Sequence, residues 1–234
     1  MIRVKYQKII VTGTSSGLGF ATAKQLLNNK FTVIGIDVQA AEIEHQNYTH
    51  IEMNLASIDI EELQQKITET DWFGFIHCAG ISLGGKLDSL SIEDWNRSID
   101  VNVTSAMRIC QLAESEMMDG GRIVLVGSPV GIAGANKPSY AASKAALHGL
   151  TMSVSRQLGK RGICVNTVLP GPMITGMTND WSQEKRLRIA EETRLNRLAK
   201  PDDVAHVMVQ MMGKKWSYMS ASIIDMTCGS MFGH

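Results

Sequence analysis

The chain of 234 residues carries 23 basic and 23 acidic side chains, a formal net charge of zero. That balance provides no global field to attract nucleic acid or an anionic membrane, so the expected partner is a small molecule. The length suits one large α/β core, a single domain over 1–234, and the four dispersed cysteines lack the paired spacing of a zinc or redox site, so free thiols and no metal are expected.

The start, Met1 to Lys8, lacks the apolar stretch of a signal peptide, and no later run reaches the roughly 20 apolar residues of a membrane span, so a cytoplasmic setting is expected. A first strand is predicted at Lys8–Thr12, followed by a helix over Gly17–Asn29. Between them lies Thr12-Gly13-Thr14-Ser15-Ser16-Gly17-Leu18-Gly19. Its three glycines permit a tight turn, backbone approach to a pyrophosphate and close helix packing, at a helix N-terminus that offers free N–H groups. Gly13, Ser15, Ser16, Gly17, Leu18 and Gly19 are therefore candidate dinucleotide-binding residues, with a merely structural turn as the alternative.

The second strand, Thr32–Asp37, ends in a carboxylate placed to accept hydrogen bonds from the adenosine ribose and to repel a 2′-phosphate. No Arg or Lys occupies Thr14 to Ser16 or Val38 to Ala40, so NAD is expected over NADP; Asp37 as a plain strand-end turn residue is the alternative. The pattern continues with strands at Thr49–Met53, Phe73–Cys78, Arg122–Gly127, Cys164–Leu169 and Ser222–Met226, and helices at Asp59–Thr70, Ile92–Met118, Ser139–Lys160, Ser182–Asn196 and Pro201–Met212. Alternation of this kind predicts a Rossmann-type, doubly wound α/β domain with a mostly parallel seven-stranded sheet, Ile9 to Val11 and Ile123 to Val126 near its centre. Ser91 and Pro201 read as helix starts. The Met117-Met118 and Met208 to Met212 stretches read as helix-core packing.

On the predicted helix from Ser139, Tyr140-Ala141-Ala142-Ser143-Lys144 places a phenol and an ammonium on one face, one turn apart. A tyrosine titrates near ~10, too high for a base at neutral pH, unless the lysine charge and an oxidised nicotinamide favour the phenolate. Ser128, at the end of a strand, is placed to hold a substrate oxygen. His148 reads as packed or interfacial, and Lys137 as an exposed lysine, with contact to a substrate carboxylate as the alternative if its loop turns inward. Ile81 to Leu83, Pro129 to Ile132 and Met173 to Trp181 are expected to form a mainly apolar substrate wall.

Thr12-Gly13-x-x-x-Gly17-x-Gly19, Ala79-Gly80, Asn102, Ser128, Tyr140-x-x-x-Lys144, Asn166 and Pro170-Gly171 occur in the order in which they appear in the short-chain dehydrogenase/reductase family, which the sequence resembles over essentially its whole length. The resemblance implies a catalytic tetrad of Asn102, Ser128, Tyr140 and Lys144, with Asn102 steadying a helix and a proton-relaying water. It also implies Asn54 and Leu55 near adenine, Ala79 and Gly80 near ribose, Lys144 on the nicotinamide ribose, Met173 and Thr175 near the carboxamide, and Pro170 and Gly171 among the cofactor-binding residues. The chain departs from the family at Asn54, where aspartate is usual, at His77-Cys78 for Asn-Asn, at Thr227-Cys228-Gly229 for Asp-Gly-Gly, and in a Ser128 to Tyr140 interval one residue short. The implied activity is NAD(H)-dependent hydride transfer with an uncharged or partly apolar alcohol or carbonyl. A non-catalytic NAD-sensing regulator and an NADP-dependent 3-oxoacyl reductase are the alternatives; a sugar-nucleotide epimerase would need a larger C-terminal domain. A homo-oligomer through the two long helices is expected, with Ala141, Ala142, Ala145, Ala146 and Gly149 permitting close approach.

Overall fold

Apolar, β-branched runs that are buried on both faces can be satisfied only inside a sheet covered by helices on either side. The computed structural model, which describes residues 7–67 and 71–232, shows that arrangement. The strands are β1 (Lys8–Thr12), β2 (Thr32–Asp37), β3 (Tyr48–Glu52), β4 (Trp72–His77), β5 (Met117–Val126), β6 (Cys164–Pro170) and β7 (Ser222–Met226). They form one sheet in the order β3-β2-β1-β4-β5-β6-β7. Every pairing is parallel. Ile9, Ile10, Val11, Ile123 and Leu125 are wholly buried, as expected of central strands.

The helices are α1 (Gly17–Asn28), α2 (Ile60–Lys66), α3 (Ile92–Ile99), α4 (Ser105–Glu116), the short α5 (Val130–Ala133), α6 (Pro138–Leu158), α7 (Gln183–Glu191) and α8 (Pro201–Met211). Two apolar clusters result, one on each face of the sheet: Trp72, Phe75, Ile109 and Leu147 belong to the first, Leu26, Ile76, Val124 and Met208 to the second. Chain order reverses between β1 and β4, and in a sheet of this kind the C-terminal ends of the strands at that point open a crevice for ligand. No helix among the described residues is long and apolar enough to cross a membrane.

Three expectations are corrected. The single helix over Ile92–Met118 is α3, a π-helical segment at Asp100–Thr104 and α4, after which Met117 and Met118 open β5. Arg161 closes α4 from a distance: its guanidinium donates to the carbonyls of Ala113 (3.0 Å), Glu114 and Met117 and pairs with Asp119 (2.8 Å). Met117 is thus a buried strand residue and Met118 is 42% exposed, whereas Met208, Met211 and Met212 are buried as foreseen. The helix beginning near Ser182 ends at Glu191, not Asn196, where the Thr193 hydroxyl meets the carbonyls of Ala190 (2.8 Å) and Arg197 (3.0 Å). Asp59 caps α2 by accepting from the Glu61 and Glu62 N–H groups, and the predicted end at Thr70 lies outside the described residues.

Candidate active site

The crevice begins at the glycine turn between β1 and α1. Gly13 has φ +77°, and a Cβ there would lie 3.0 Å from the Ala79 backbone. At Gly19 a Cβ would come within 2.1 Å of the Gly13 carbonyl oxygen, so only glycine lets α1 start this close to the turn. Gly17 has φ +52° and faces only the Thr175 side chain, 3.7 Å away. Ser16 precedes the first helical residue, and Ser15 and Leu18 are buried. The turn is a shallow cradle at a twelve-residue helix N-terminus, the setting in which free N–H groups suit a pyrophosphate.

Asp37, at the end of β2, accepts from Ser15 N through Oδ2 (2.9 Å) and from Gln39 N through Oδ1 (3.0 Å). Each oxygen retains a lone pair for a ribose hydroxyl. Asn54 is exposed beyond β3, and its Oδ1 accepts from Ala56 N (3.0 Å) while Leu55 packs into the core. Pro170 ends β6, and Gly171 bonds to the Met226 carbonyl (3.1 Å) with a Cβ position only 3.0 Å from Thr227. Met173 bridges to Ala199, and Thr175 bonds through its N–H to Thr178 Oγ1 (3.0 Å). Asn166 secures β7 by donating to Met219 O (2.8 Å) and accepting from Ser222 N (3.1 Å).

Tyr140 and Lys144 lie one turn apart on α6, and Ser128 follows the end of β5. Burial raises the Tyr140 pKa above its ordinary value, and a hydrogen bond with the Ser128 side chain lowers it in part. Lys144 is 3% exposed. Its Nζ donates to the Val126 carbonyl (2.7 Å) and sits 5.8 Å from the Tyr140 ring centroid. Burial brings the ammonium down to about 8 from its ordinary 10.5. In the protein by itself, then, burial is the dominant influence on the phenol and acts in the direction opposite to the lowered tyrosine expected from the sequence.

Asn102 is fully buried in the π segment and makes three bonds: Oδ1 accepts from Ile81 N (2.8 Å), and Nδ2 donates to Ile81 O (2.9 Å) and Ser143 Oγ (2.8 Å). Ser143 in turn donates to the Tyr140 carbonyl (2.8 Å). The asparagine joins the loop after β4, the π segment and α6. A Cβ on Gly80 would lie 3.2 Å from Lys144 Nζ, so the backbone at Ala79-Gly80 passes directly beside the lysine.

Sequence reasoning missed the supports. Thr12 Oγ1 accepts from Ala79 N (3.1 Å) and bonds to His77 Nδ1 (2.9 Å), tying β1 to the end of β4. The Thr12 hydroxyl thus holds the His77 ring from its Nδ1 side. The ring is wholly buried, and desolvation, assisted by the Lys144 charge, depresses its pKa to about 3, so it is neutral. Ser139 Oγ and Lys137 Nζ bond to the carbonyls of Leu83 (2.9 Å) and Ser82 (3.0 Å), so the exposed lysine pins the pocket wall. His148 is partly buried with no partner at Nε2 and lies two turns beyond Tyr140. The signal for Thr12 and Ser143 was their position inside the recognised motifs, flanking Gly13 and Lys144.

A family model described as short chain dehydrogenase matches residues 7–186. Among curated proteins, a 3-oxoacyl-[acyl-carrier-protein] reductase of Rickettsia conorii is 31% identical over 241 residues, covering 99% of this chain and 99% of that protein. The reductase of the same name from Vibrio harveyi is 31% identical over 94% of this chain and 95% of its own length. Among solved structures, a short chain dehydrogenase family protein from Francisella tularensis superposes with a TM-score of 0.89 at 30% identity, covering 96% of this chain and 98% of that one.

Proposed function

Because the chain belongs to the short-chain dehydrogenase family, we propose that it is an NAD(H)-dependent oxidoreductase acting on an uncharged or partly apolar alcohol or carbonyl, with Tyr140 as the general acid and base. One observation carries the reading: the Tyr140 phenol bonds to the Ser128 side chain, and the buried Lys144, whose Nζ lies 5.8 Å from the Tyr140 ring centroid, sits beside Gly80, at the strand ends that also hold the glycine cradle and Asp37. Bound across that edge, the dinucleotide supplies a hydride acceptor or donor and, when oxidised, a positive charge.

In this reading the turn from Gly13 to Gly19 binds the pyrophosphate through backbone N–H groups, and the two free lone pairs of Asp37 accept from the adenosine ribose. Asn54 and Leu55 flank adenine. Ala79, Gly80 and Lys144 hold the second ribose, and Pro170, Gly171, Met173 and Thr175 border the carboxamide. Ser128 positions the substrate oxygen. In oxidation Tyr140 takes the alcohol proton, and in reduction it returns one to the carbonyl oxygen. Lys144, held near about 8, carries protons close to neutral pH, and Asn102 is the bracket that keeps its helix in place. The expected setting is the cytoplasm, and the expected state is a homo-oligomer packed through α4 and α6.

The names of the two curated relatives, each a 3-oxoacyl-[acyl-carrier-protein] reductase, favour a 3-oxoacyl substrate and so a second reading, the NADP-dependent 3-oxoacyl reductase. Asp37, with no basic side chain at Thr14–Ser16 or Val38–Ala40, weighs against the NADP part of it. A screen of alcohols, carbonyls and 3-oxoacyl thioesters with NAD(H) and NADP(H), followed by reduced-nicotinamide absorbance, decides. NAD-linked turnover is expected; preference for NADP overturns the assignment of Asp37, and dinucleotide binding without any turnover favours a sensor.

A further inference from the structure

The adenosine end of the crevice contains a set of polar side chains that neither the family motif nor the proposed chemistry uses. Thr14, buried in the glycine turn, bonds through Oγ1 to the Tyr48 hydroxyl (2.9 Å). The same hydroxyl bonds to His50 Nδ1 (3.0 Å), and His50 Nε2 bonds to the Gln39 carbonyl (2.9 Å). A carbonyl only accepts, so Nε2 carries a proton and donates to Gln39. Tyr48 thus links Thr14 to His50, and His50 carries the connection on to the Gln39 carbonyl. Gly35 makes room for it: a Cβ there would lie 2.2 Å from the Tyr48 oxygen and 2.5 Å from Thr14 Oγ1.

The relay ends on the loop that follows Asp37. Ser15 reaches the same loop, its hydroxyl lying 2.8 Å from the Ala40 carbonyl and 3.3 Å from that of Gln39. Gln39 N in turn bonds to Asp37. Residues 38–40 are exposed, so these bonds to Ser15 and His50 are what hold their backbone against the turn. Between them Tyr48 and the Gln39 carbonyl occupy both nitrogens of the imidazole, which ties the ring to the loop.

We propose that Tyr48 and His50 determine cofactor specificity, holding the Val38–Ala40 loop closed beside Asp37 so that the pocket takes a ribose with a free 2′-hydroxyl and rejects a 2′-phosphate. The inference rests on the NAD reading and extends it from the carboxylate to the residues that fix its surroundings. Cutting the relay releases the loop and the imidazole together, which weakens NAD and relaxes the exclusion of NADP.

Direct titration of the purified full chain with NADH and NADPH, by nucleotide fluorescence or calorimetry, needs no substrate. For Tyr48→Phe, which keeps the ring, the NADH dissociation constant is expected to rise about fivefold, the worth of one partly buried hydrogen bond, and the NADPH-to-NADH ratio to fall by at least as much. His50→Ala should weaken NADH similarly. In the double variant the loss should be no greater than in His50→Ala alone, because the two side chains act as one chain of bonds. Circular dichroism melting of each variant reports folding. If both variants melt as wild type and keep its ratio, or if NADH and NADPH weaken by the same factor, Tyr48 and His50 serve the scaffold only and the proposal fails. A wild-type chain that prefers NADPH overturns the NAD reading itself, before any variant is made.

Discussion

Replacing Lys144 by Met, which keeps the length of the side chain, turns the burial of the lysine into a measurable pH dependence. The side chain is 3% exposed and titrates near 8 when folded, against 10.5 ordinarily. Below pH 8 the folded chain carries a desolvated charge that the unfolded chain carries in water, at a cost of about 3 kcal/mol. Between 8 and 10.5 the unfolded chain binds the extra proton, so stability contributed by this group rises with pH and the cost has vanished once both states are neutral. The methionine variant lacks that dependence, although it leaves the Val126 carbonyl without its 2.7 Å donor, a loss of about 1–3 kcal/mol. Whatever its stability relative to wild type at about pH 7, that relative stability should fall by about 2.5 kcal/mol by about pH 10. Urea unfolding followed by circular dichroism at several pH values measures it. Parallel curves for the two proteins across that range would refute the argument that burial controls Lys144.

Gly19→Ala drives a methyl to 2.1 Å from the Gly13 carbonyl oxygen; it should cost at least about 1–3 kcal/mol in thermal or urea unfolding and raise the NADH dissociation constant, because the turn itself must move. Asn102→Ala removes three buried hydrogen bonds and strands the Ile81 backbone groups, so a loss of about 2–4 kcal/mol in unfolding free energy is expected, with turnover falling before unfolding sets in. Gly149 has open space above its Cβ position on α6 and Met152 is 42% exposed there, so sedimentation should give an oligomeric mass for the wild type and a smaller one for Gly149→Arg. A monomeric wild type at micromolar concentration would contradict the expected α4–α6 packing.

The strands were legible because a strand buried on both faces has few ways to be written: β1, β2 and β7 have the limits that the pattern of apolar residues and turn signals predicts. The arrangement of the candidate site was legible where its residues belong to local motifs, as in the glycine turn and the placing of Tyr140 and Lys144 one turn apart on α6. What failed depends on distant residues. The break between α4 and β5 is enforced by Arg161, 44 positions beyond Met117, and helical periodicity across Glu114 to Met118 gives no sign of it. The π segment that places Asn102 is likewise held by Ile81 and Ser143. The Thr14–Tyr48–His50 relay joins three elements through the β1–β2–β3 register, and its one trace in the sequence is Gly35, a glycine inside an otherwise apolar buried strand.

Tyr140→Phe tests the central claim most directly. It removes the titrating hydroxyl beside Ser128 and keeps the ring that packs α6. With a substrate from the screen, turnover should fall by ~10²–10⁴-fold or more, while the NADH dissociation constant, measured separately by fluorescence titration, stays within about twofold of wild type. A variant that turns over at the wild-type rate would contradict the account, and the partly buried His148 would be the next acid to test.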